Sequence, residues 1–387
     1  KVILGSATPS MESYLNARRE RYHYLRMPSR VENRPLPTMR LIDLKNKDIQ
    51  LSTRFPWLTK PLFEAIQKTL AQKEQAILFL NRLGYAHFLY CKDCGHTWKC
   101  RNCDVSLTYY HNPPHLLCHY CQVQIDVPNT CELCEGFSIQ KVGVGTEQLE
   151  KTLKELLPTA KIARMDRSVL KNRKDLETLL NQIANQEMDI IIGTQMVTKG
   201  HDFPNVSLVG VLCADASLNL PDFRSVEKTY QILTQVSGRA GRGEIKGEVL
   251  IQTLNPHHPI FKDLEEKDPE GFYLAELEKR RNFGFPPFER MALLRLQHRD
   301  EGKVSFAFEK LKVFLQEEIK RKNLEGQILG PAPAPLVRIK NAVRWQMILK
   351  GQNAATLRYL VLVGKEYIDK SKSRLILSID IDPIQMM

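Results

Sequence analysis

No run of about 18 apolar residues occurs in this 387-residue chain, so no segment reads as a membrane-spanning helix. Cysteine is scarce outside one window. Of nine cysteines, only Cys213 lies beyond residues 91–134, and at about 2% overall the content is too low for a disulfide scaffold. Beyond repeated C-x-x-C pairs, no internal repeat and no low-complexity tract is present. The chain opens on Lys-Val-Ile-Leu-Gly-Ser-Ala-Thr, neither a start methionine nor a secretory signal. The expectation is a piece of a longer protein that begins inside a domain. What remains is ordinary: 43% hydrophobic and 26% charged residues exclude a disordered, collagen-like or coiled-coil protein. The length suits two or three domains. A net charge of +12 is compatible with a polyanionic partner without identifying one.

The cysteines form four C-x-x-C pairs: Cys91/Cys94, Cys100/Cys103, Cys118/Cys121 and Cys131/Cys134. Two intervening residues let one turn aim both thiolates at a tetrahedral metal, and two pairs fill a site. Four pairs therefore predict two zinc ions, each held by four cysteines. Tandem pairs are not a redox pattern. Of three possible groupings, nesting is favoured: Cys100, Cys103, Cys118 and Cys121 inside, Cys91, Cys94, Cys131 and Cys134 outside. A nested module is entered and left at nearby points and can be inserted into another domain. Eight thiolates leave no open position for a catalytic water, so the expected role is structural. Residues 91–136 carry three basic side chains against five carboxylates, which is wrong for a DNA-reading finger. Trp98, Tyr109, Tyr110 and Tyr120 suit either a docking surface, a wedge against bases or a small core.

Short apolar runs at 76–81, 161–166, 188–194, 207–214 and 247–253 alternate with helical patterns at 146–157, 173–186 and 225–237. This alternation predicts an α/β lobe with a parallel sheet covered on both faces. After about 255 the pattern changes. A helix is expected over 259–281, strands at 290–298 and 374–382, and helices at 302–322 and 352–369, giving a small α+β domain. The expected division is 1–50 as the end of another lobe and a linker, 51–255 as the main lobe interrupted by the insert at 91–136, and 256–387 as the C-terminal domain. Residues 2–5 read as a strand.

Three segments carry chemistry. In Gln235-Val-Ser-Gly-Arg-Ala-Gly-Arg242, two arginines three apart can present planar forks to a transferring phosphate. The segment from Gly193 to Phe203 follows a strand's C-terminal end, where open α/β sheets bind ligands, and its hydroxyls and amides suit phosphate oxygens. Gly5-Ser-Ala-Thr-Pro9 follows a predicted strand in the same style.

Ser6–Ser10 (SATPS), 193–204 (GTQMVTKGHDFP) and 235–242 (QVSGRAGR) resemble motifs III, V and VI of superfamily 2 helicases. The eight-cysteine insert ahead of the last two narrows this, as do 83–91, 221–233, 282–288 and 328–349. The whole chain resembles the C-terminal part of the PriA family of primosomal, replication-restart helicases. The resemblance implies a RecA-like, P-loop-NTPase-type second lobe with an inserted two-zinc module and a small α+β domain. It implies a 3′–5′ DNA helicase driven by ATP with Mg²⁺. Arg239, Arg242 and Gln235 would face the nucleotide. Ser6, Ala7, Thr8, Gly193, Thr194, Lys199, Gly200 and Asp202 would couple nucleotide to DNA. The implied partners are forked and single-stranded DNA, other primosome proteins, single-strand-binding protein and the loading machinery of the replicative helicase, in the bacterial cytoplasm. No G-x-x-x-x-G-K-[ST] and no DExH-type box occur in this sequence, so this chain alone is not expected to hydrolyse ATP. Arg338, Lys340 and Arg344 around Trp345 form a weaker candidate for single-strand contacts by charge plus stacking. The competing reading is a non-catalytic, zinc-stabilised scaffold that recruits replication proteins to DNA.

Overall fold

The computed structural model describes residues 2–27, 36–52, 54–55, 57–80, 88–103, 105–111, 113–141, 146–166, 169–170, 172–198, 203–241, 245–266, 269–371 and 374–386. The chain starts with α1 (Met11–Arg18), β1 (Thr38–Asp43), α2 (Lys60–Ala71) and β2 (Gln75–Phe79). Five short strands occupy the cysteine-rich stretch: β3 (Leu89–Cys91), β4 (Thr108–His111), β5 (Pro114–Leu117), β6 (Gln124–Asp126) and β7 (Ile139–Lys141). Then follow α3 (Thr146–Leu156), β8 (Ile162–Met165), α4 (Arg173–Ala184), β9 (Ile190–Gly193), α5 (Gln195–Thr198), β10 (Val206–Val211), α6 (Asp215–Leu218), α7 (Ser225–Ser237) and β11 (Glu248–Thr253). The last part holds α8 (Pro259–Glu265), α9 (Pro269–Asn282), β12 (Arg290–His298), α10 (Glu301–Lys322), β13 (Gly326–Ile339), β14 (Ala342–Gly351), α11 (Ala354–Lys370) and β15 (Ile376–Ile381).

The first sheet runs β1-β11-β10-β2-β9-β8, and every pairing in it is parallel. Alternation in the strands supplies both faces. Leu78, Ile190, Ile192, Leu208 and Leu250 pack on α2 and α3 through Leu62, Ile66, Leu149 and Leu153. Ile77, Phe79, Ile191, Val209 and Ile251 pack on the opposite side against α1, α4 and α7 to α9. This is why these strands read as continuous apolar runs: both faces are covered. Asn172 and Asp175 form a capping box that starts α4.

Two expectations for the N-terminal segment differ from the structure. Thr38–Asp43, expected within another lobe and its linker, is the edge strand of this sheet, in register with Glu248–Thr253. Residues 2–5 form no strand. Val2, Ile3 and Leu4 stand exposed, with no strand among the described residues to pair with. In addition, α1 joins the lobe core, where Tyr14 stacks on Tyr273 at 4.5 Å. The single helix expected over 259–281 is two, α8 and α9. Pro269 opens the second, since its ring blocks a continuous ladder.

The C-terminal sheet is antiparallel, in the order β13-β14-β12-β15. One face packs on α10 and α11 through Leu294, Leu296, Met347 and Leu349 against Phe308, Leu311, Leu357 and Leu360. The other face meets the cysteine-rich module. Met291, Leu293 and Ile348 share a cluster with Trp98, Leu116, Cys118 and Tyr120, joined by Phe223 and Phe285. The module is therefore wedged between the parallel-sheet lobe and the C-terminal sheet, rather than seated on the lobe alone.

Candidate functional site

The eight cysteines come together in two groups. Cys91, Cys94, Cys131 and Cys134 form one, and Cys100, Cys103, Cys118 and Cys121 the other. Within each group all four sulfurs lie within 4.8 Å of one another. Cys91 and Cys134 are 3.6 Å apart, Cys94 and Cys131 3.5 Å, and Cys100 and Cys121 3.4 Å. These are not disulfide lengths, and all nine cysteines are free thiols. A zinc ion bound by four thiolates at ~2.3 Å sets the sulfurs about 3.8 Å apart, so the donor sets fit. The grouping is the nested one, closed at its base where β3 pairs with β7.

Local backbone geometry explains the convergence. In three of the knuckles the first cysteine's carbonyl accepts from the residue after the second cysteine: Gly95 to Cys91, Gln122 to Cys118 and Glu135 to Cys131. Those three acceptor-closing residues all have positive φ, which folds the turn back on itself. Gly95 has a further reason to lack a side chain, because a Cβ there would collide with the Leu254 carbonyl. Backbone amides of Tyr120 and Leu133 point at the sulfurs of Cys118 and Cys131, at 3.4 and 3.5 Å, and such donors favour thiolate. Burial pushes Cys94 up to about 12, with the neighbouring sulfurs adding to it. Four crowded sulfurs ionise together only around a cation.

Trp98 and Tyr120 are core residues, 5% and 1% exposed. Tyr109 and Tyr110 are half-buried. The Tyr120 hydroxyl accepts from the Phe223 amide at 3.1 Å. His119 is not a ligand. Its Nδ1 donates to the Pro333 carbonyl at 2.7 Å, and Gln346 Nε2 donates to its own carbonyl at 3.1 Å. Burial lowers His119 to about 4.

The second cluster lies around α7. Gly238 caps this helix, and Arg239 follows it, 5% exposed. Gln235 Nε2 donates to Thr8 Oγ1 at 3.5 Å, and Gln231 Nε2 to the Thr8 carbonyl at 3.4 Å. The segment from Ser6 to Thr8 thus meets the end of α7. Thr8 is buried, while Ser6 and Ala7 are exposed. Gly193 ends β9, and a Cβ there would collide with Val197 of α5. Thr194 is half-buried beside it. Lys199, Gly200, Asp202 and Arg242 lie outside the described residues.

The residues that organise 221–233 carry no mark in the sequence. Glu227 accepts from the Met11 amide at 3.0 Å, from Arg224 at 3.4 Å and from Arg280 at 2.8 Å. Arg224 also donates to Glu12 at 2.6 Å and to the Pro383 carbonyl at 3.2 Å. Such long-range pairing leaves no periodic trace in sequence. The C-terminal candidates separate in space. Arg338 and Lys340 are exposed at the β13–β14 hairpin. Trp345 packs against the helical side and donates to Glu301 at 3.3 Å. Arg344, its neighbour in β14, faces the other way. Trp345 and Arg344 therefore do not form one stacking platform.

Three family descriptions match the chain: the PriA DNA helicase Cys-rich region domain at 100–125, the helicase conserved C-terminal domain at 136–244, and the primosomal protein N C-terminal domain at 281–384. The replication restart protein PriA of Bacillus subtilis (strain 168) is 40% identical over 388 residues, covering 100% of this chain and 48% of that protein. The chain belongs to the PriA family. PriA of Synechocystis sp. is 37% identical over 394 residues, covering 100% of this chain and 46% of that protein. PriA of Haemophilus influenzae is 37% identical over 383 residues, covering 99% and 51%. The chain spans about half the length of these curated relatives. The matched Cys-rich region spans the inner cysteine group of this PriA chain, and both groups are compatible with a zinc ion. No described helix is long and apolar enough to cross a membrane.

Proposed function

We propose that this chain supplies the second motor lobe, the zinc module and the C-terminal domain of an ATP-dependent 3′–5′ DNA helicase that restarts replication at stalled forks. The observation that carries the reading is the contact between two segments 227 residues apart, Gln235 to Thr8. It joins the end of α7 to the segment that resembles motif III. A motor needs such a joint, because closure on nucleotide must move the grip on DNA. A scaffold does not.

In this reading Arg239 and Arg242 stabilise the charge on the γ-phosphate, while a phosphate loop and Mg²⁺ come from sequence outside this chain. Gln235 keeps Thr8 and Arg239 in step. Ser6, Ala7, Gly193, Thr194, Lys199, Gly200 and Asp202 pass the nucleotide state to the DNA backbone. Two Zn²⁺ ions cross-link the module. Forked and single-stranded DNA are the substrates. Other primosome proteins, single-strand-binding protein and the helicase-loading machinery are the protein partners.

The test is ATP turnover with and without forked DNA, on this chain and on the full-length protein in parallel. The expected result is DNA-stimulated turnover in the full-length protein and none in this chain. Arg239→Ala in the full-length protein should abolish turnover while DNA binding and zinc content persist. Unchanged turnover in that variant would remove Arg239 from the motor. Turnover absent from the full-length protein would favour the scaffold reading.

A further inference from the structure

We propose that Arg224 is a positioning residue that ties ATP turnover in the motor lobe to the placement of the C-terminal domain, with the last residues of the chain as the strap between them. The inference rests on the motor reading above and adds a route by which DNA stimulates turnover.

Each nitrogen of Arg224 serves a different part of the chain. Nη2 donates to Glu12 of α1 at 2.6 Å, Nη1 to Glu227 of α7 at 3.4 Å, and Nε to the Pro383 carbonyl at 3.2 Å. A planar fork with fixed donors can bond three such partners at once, and an ammonium cannot. The residues before Arg224 reach outward as well. Asp222 accepts from the Met386 amide at 3.5 Å, and the Phe223 amide donates to the Tyr120 hydroxyl of the zinc module at 3.1 Å. The start of α7 thus addresses the C-terminal tail, the zinc module and α1 from consecutive residues.

The other end of α7 leads to Arg239, about three helical turns away. The segment from Thr8 to Glu12 runs back along the helix. Thr8 meets Gln235 and Gln231, the Met11 amide donates to Glu227 at 3.0 Å, and Glu12 meets Arg224. The segment that resembles motif III is therefore fastened to α7 at both ends. A shift at Arg224 is carried along one rigid element to the Thr8 contact and to Arg239.

The strap is firmly mounted on the C-terminal sheet. Strand β15 pairs with β12, Arg290 pairs with Asp382 at 2.7 Å, and the Asp382 amide donates to the Met291 carbonyl at 2.8 Å. The next residue is Pro383, which accepts from Arg224. Met386, 1% exposed, anchors the end of the strap in the cluster that holds Phe223 and the zinc module. Movement of the sheet reaches Arg224 with little slack.

The joint is also built to release. The side chains of Arg224 and Glu227 are 8% and 4% exposed, whereas that of Glu12 is 35% exposed. Parting Glu12 from Arg224 puts the carboxylate in water and leaves Arg224 paired with Glu227, so no buried charge is stranded. A brace meant only to hold is as stable when built from apolar side chains. An ion pair with one partner facing solvent has two tenable arrangements, bonded and released, and repacked ion pairs of this kind accompany domain movements.

The experiment is ATP turnover by full-length, zinc-loaded protein with and without saturating forked DNA, over a range of ATP concentrations, alongside DNA affinity by fluorescence anisotropy. Deletion of residues 383–387 should lower the DNA-stimulated kcat about tenfold. Basal turnover, KM for ATP and DNA affinity should stay as in the wild type. Arg224→Lys keeps the charge but offers one nitrogen to three partners, and should lower the stimulated kcat to a similar degree. Combined with the deletion it should cost no more than either change alone, because both act through one joint. Should the deletion variant fail to fold, Arg224→Lys, Glu12→Gln and their combination decide the matter by the same comparison. Unchanged stimulation in these variants overturns the inference alone. An equal loss of turnover with and without DNA, or a loss of thermal stability with stimulation intact, would mean a structural brace and would also overturn it. Additive losses would put the partners on separate routes and overturn the coupling. A wild type without turnover, or without stimulation by DNA, overturns the motor reading beneath it.

Discussion

Glu227 is where four segments meet. Its carboxylate joins the start of α1, Arg224 before α7, Gln231 within α7 and Arg280 in α9. It is 3% exposed and Arg280 is 1% exposed, so this is a desolvated network. Its value lies less in net attraction than in the cost of breaking it. Glu227→Gln should lower the unfolding free energy of the full-length protein by about 3–5 kcal/mol, read from the shift of the urea midpoint. Replacing Glu227, Glu276 and Arg280 together by methionine should recover most of that loss, since Arg224 keeps Glu12 and no buried charge is then left without a partner. If the triple variant is no better than the single one, the packing rather than the charge holds the joint. A pH dependence follows from Glu12 in the same network. Burial raises its carboxyl, but the hydrogen bond and charge of Arg224 outweigh this and hold it below the usual value. A depressed carboxylate adds stability above its unfolded pKa and loses it as pH falls through the folded one. The network should therefore weaken on acidification below about pH 4.5, and Glu12→Gln should flatten that part of the stability profile.

At the scale of elements, the strands of the parallel sheet were legible because burial on both faces makes each an unbroken apolar run. The cysteine pairs were legible because a tetrahedral metal demands their spacing. The β13–β14 hairpin was not. Pro331, Pro333 and Pro335 break the strand pattern of β13, which tolerates them because it lies at a sheet edge. Edge strand β1 was assigned elsewhere because its partner β11 lies some 200 residues on, beyond any local signal. The module's place was hidden for the same reason. Its contacts to Phe223, Pro333 and Gln346 are all long-range. The two zinc groups are consequently unequal. The outer group touches the lobe at Gly95 and Leu254, and its Cys134 is exposed. The inner group includes Cys118, buried between Tyr120 and the C-terminal sheet. Cys118→Ser should release the C-terminal sheet to limited proteolysis, whereas Cys134→Ser should leave it protected. Equal protection in both variants would mean that the zinc groups do not hold this junction.

The whole molecule is held by shared packing rather than by independent units. One cluster contains zinc-module cysteines, Phe223 from the segment before α7, Phe285 after α9, and Leu293 and Ile348 of the C-terminal sheet. The C-terminal tail returns to the same place. Arg224 donates to the Pro383 carbonyl, and Met386, 1% exposed, brings its amide to Asp222 at 3.5 Å. The tail therefore latches next to the helix that leads to Arg239. Parts that share a core unfold together, and parts that merely touch unfold apart. Calorimetry of this chain with zinc bound should show one transition whose calorimetric and van't Hoff enthalpies agree. Metal removal by a chelator should split it, because the cluster loses the cross-links that fix Trp98, Cys118 and Tyr120 in place. The parallel-sheet lobe, with its own two-faced core, should then unfold at nearly its former temperature while the C-terminal sheet melts earlier. Two transitions in the zinc-bound chain would show that lobe and sheet are joined only by contact, and that the zinc module does not lock the C-terminal sheet to the lobe.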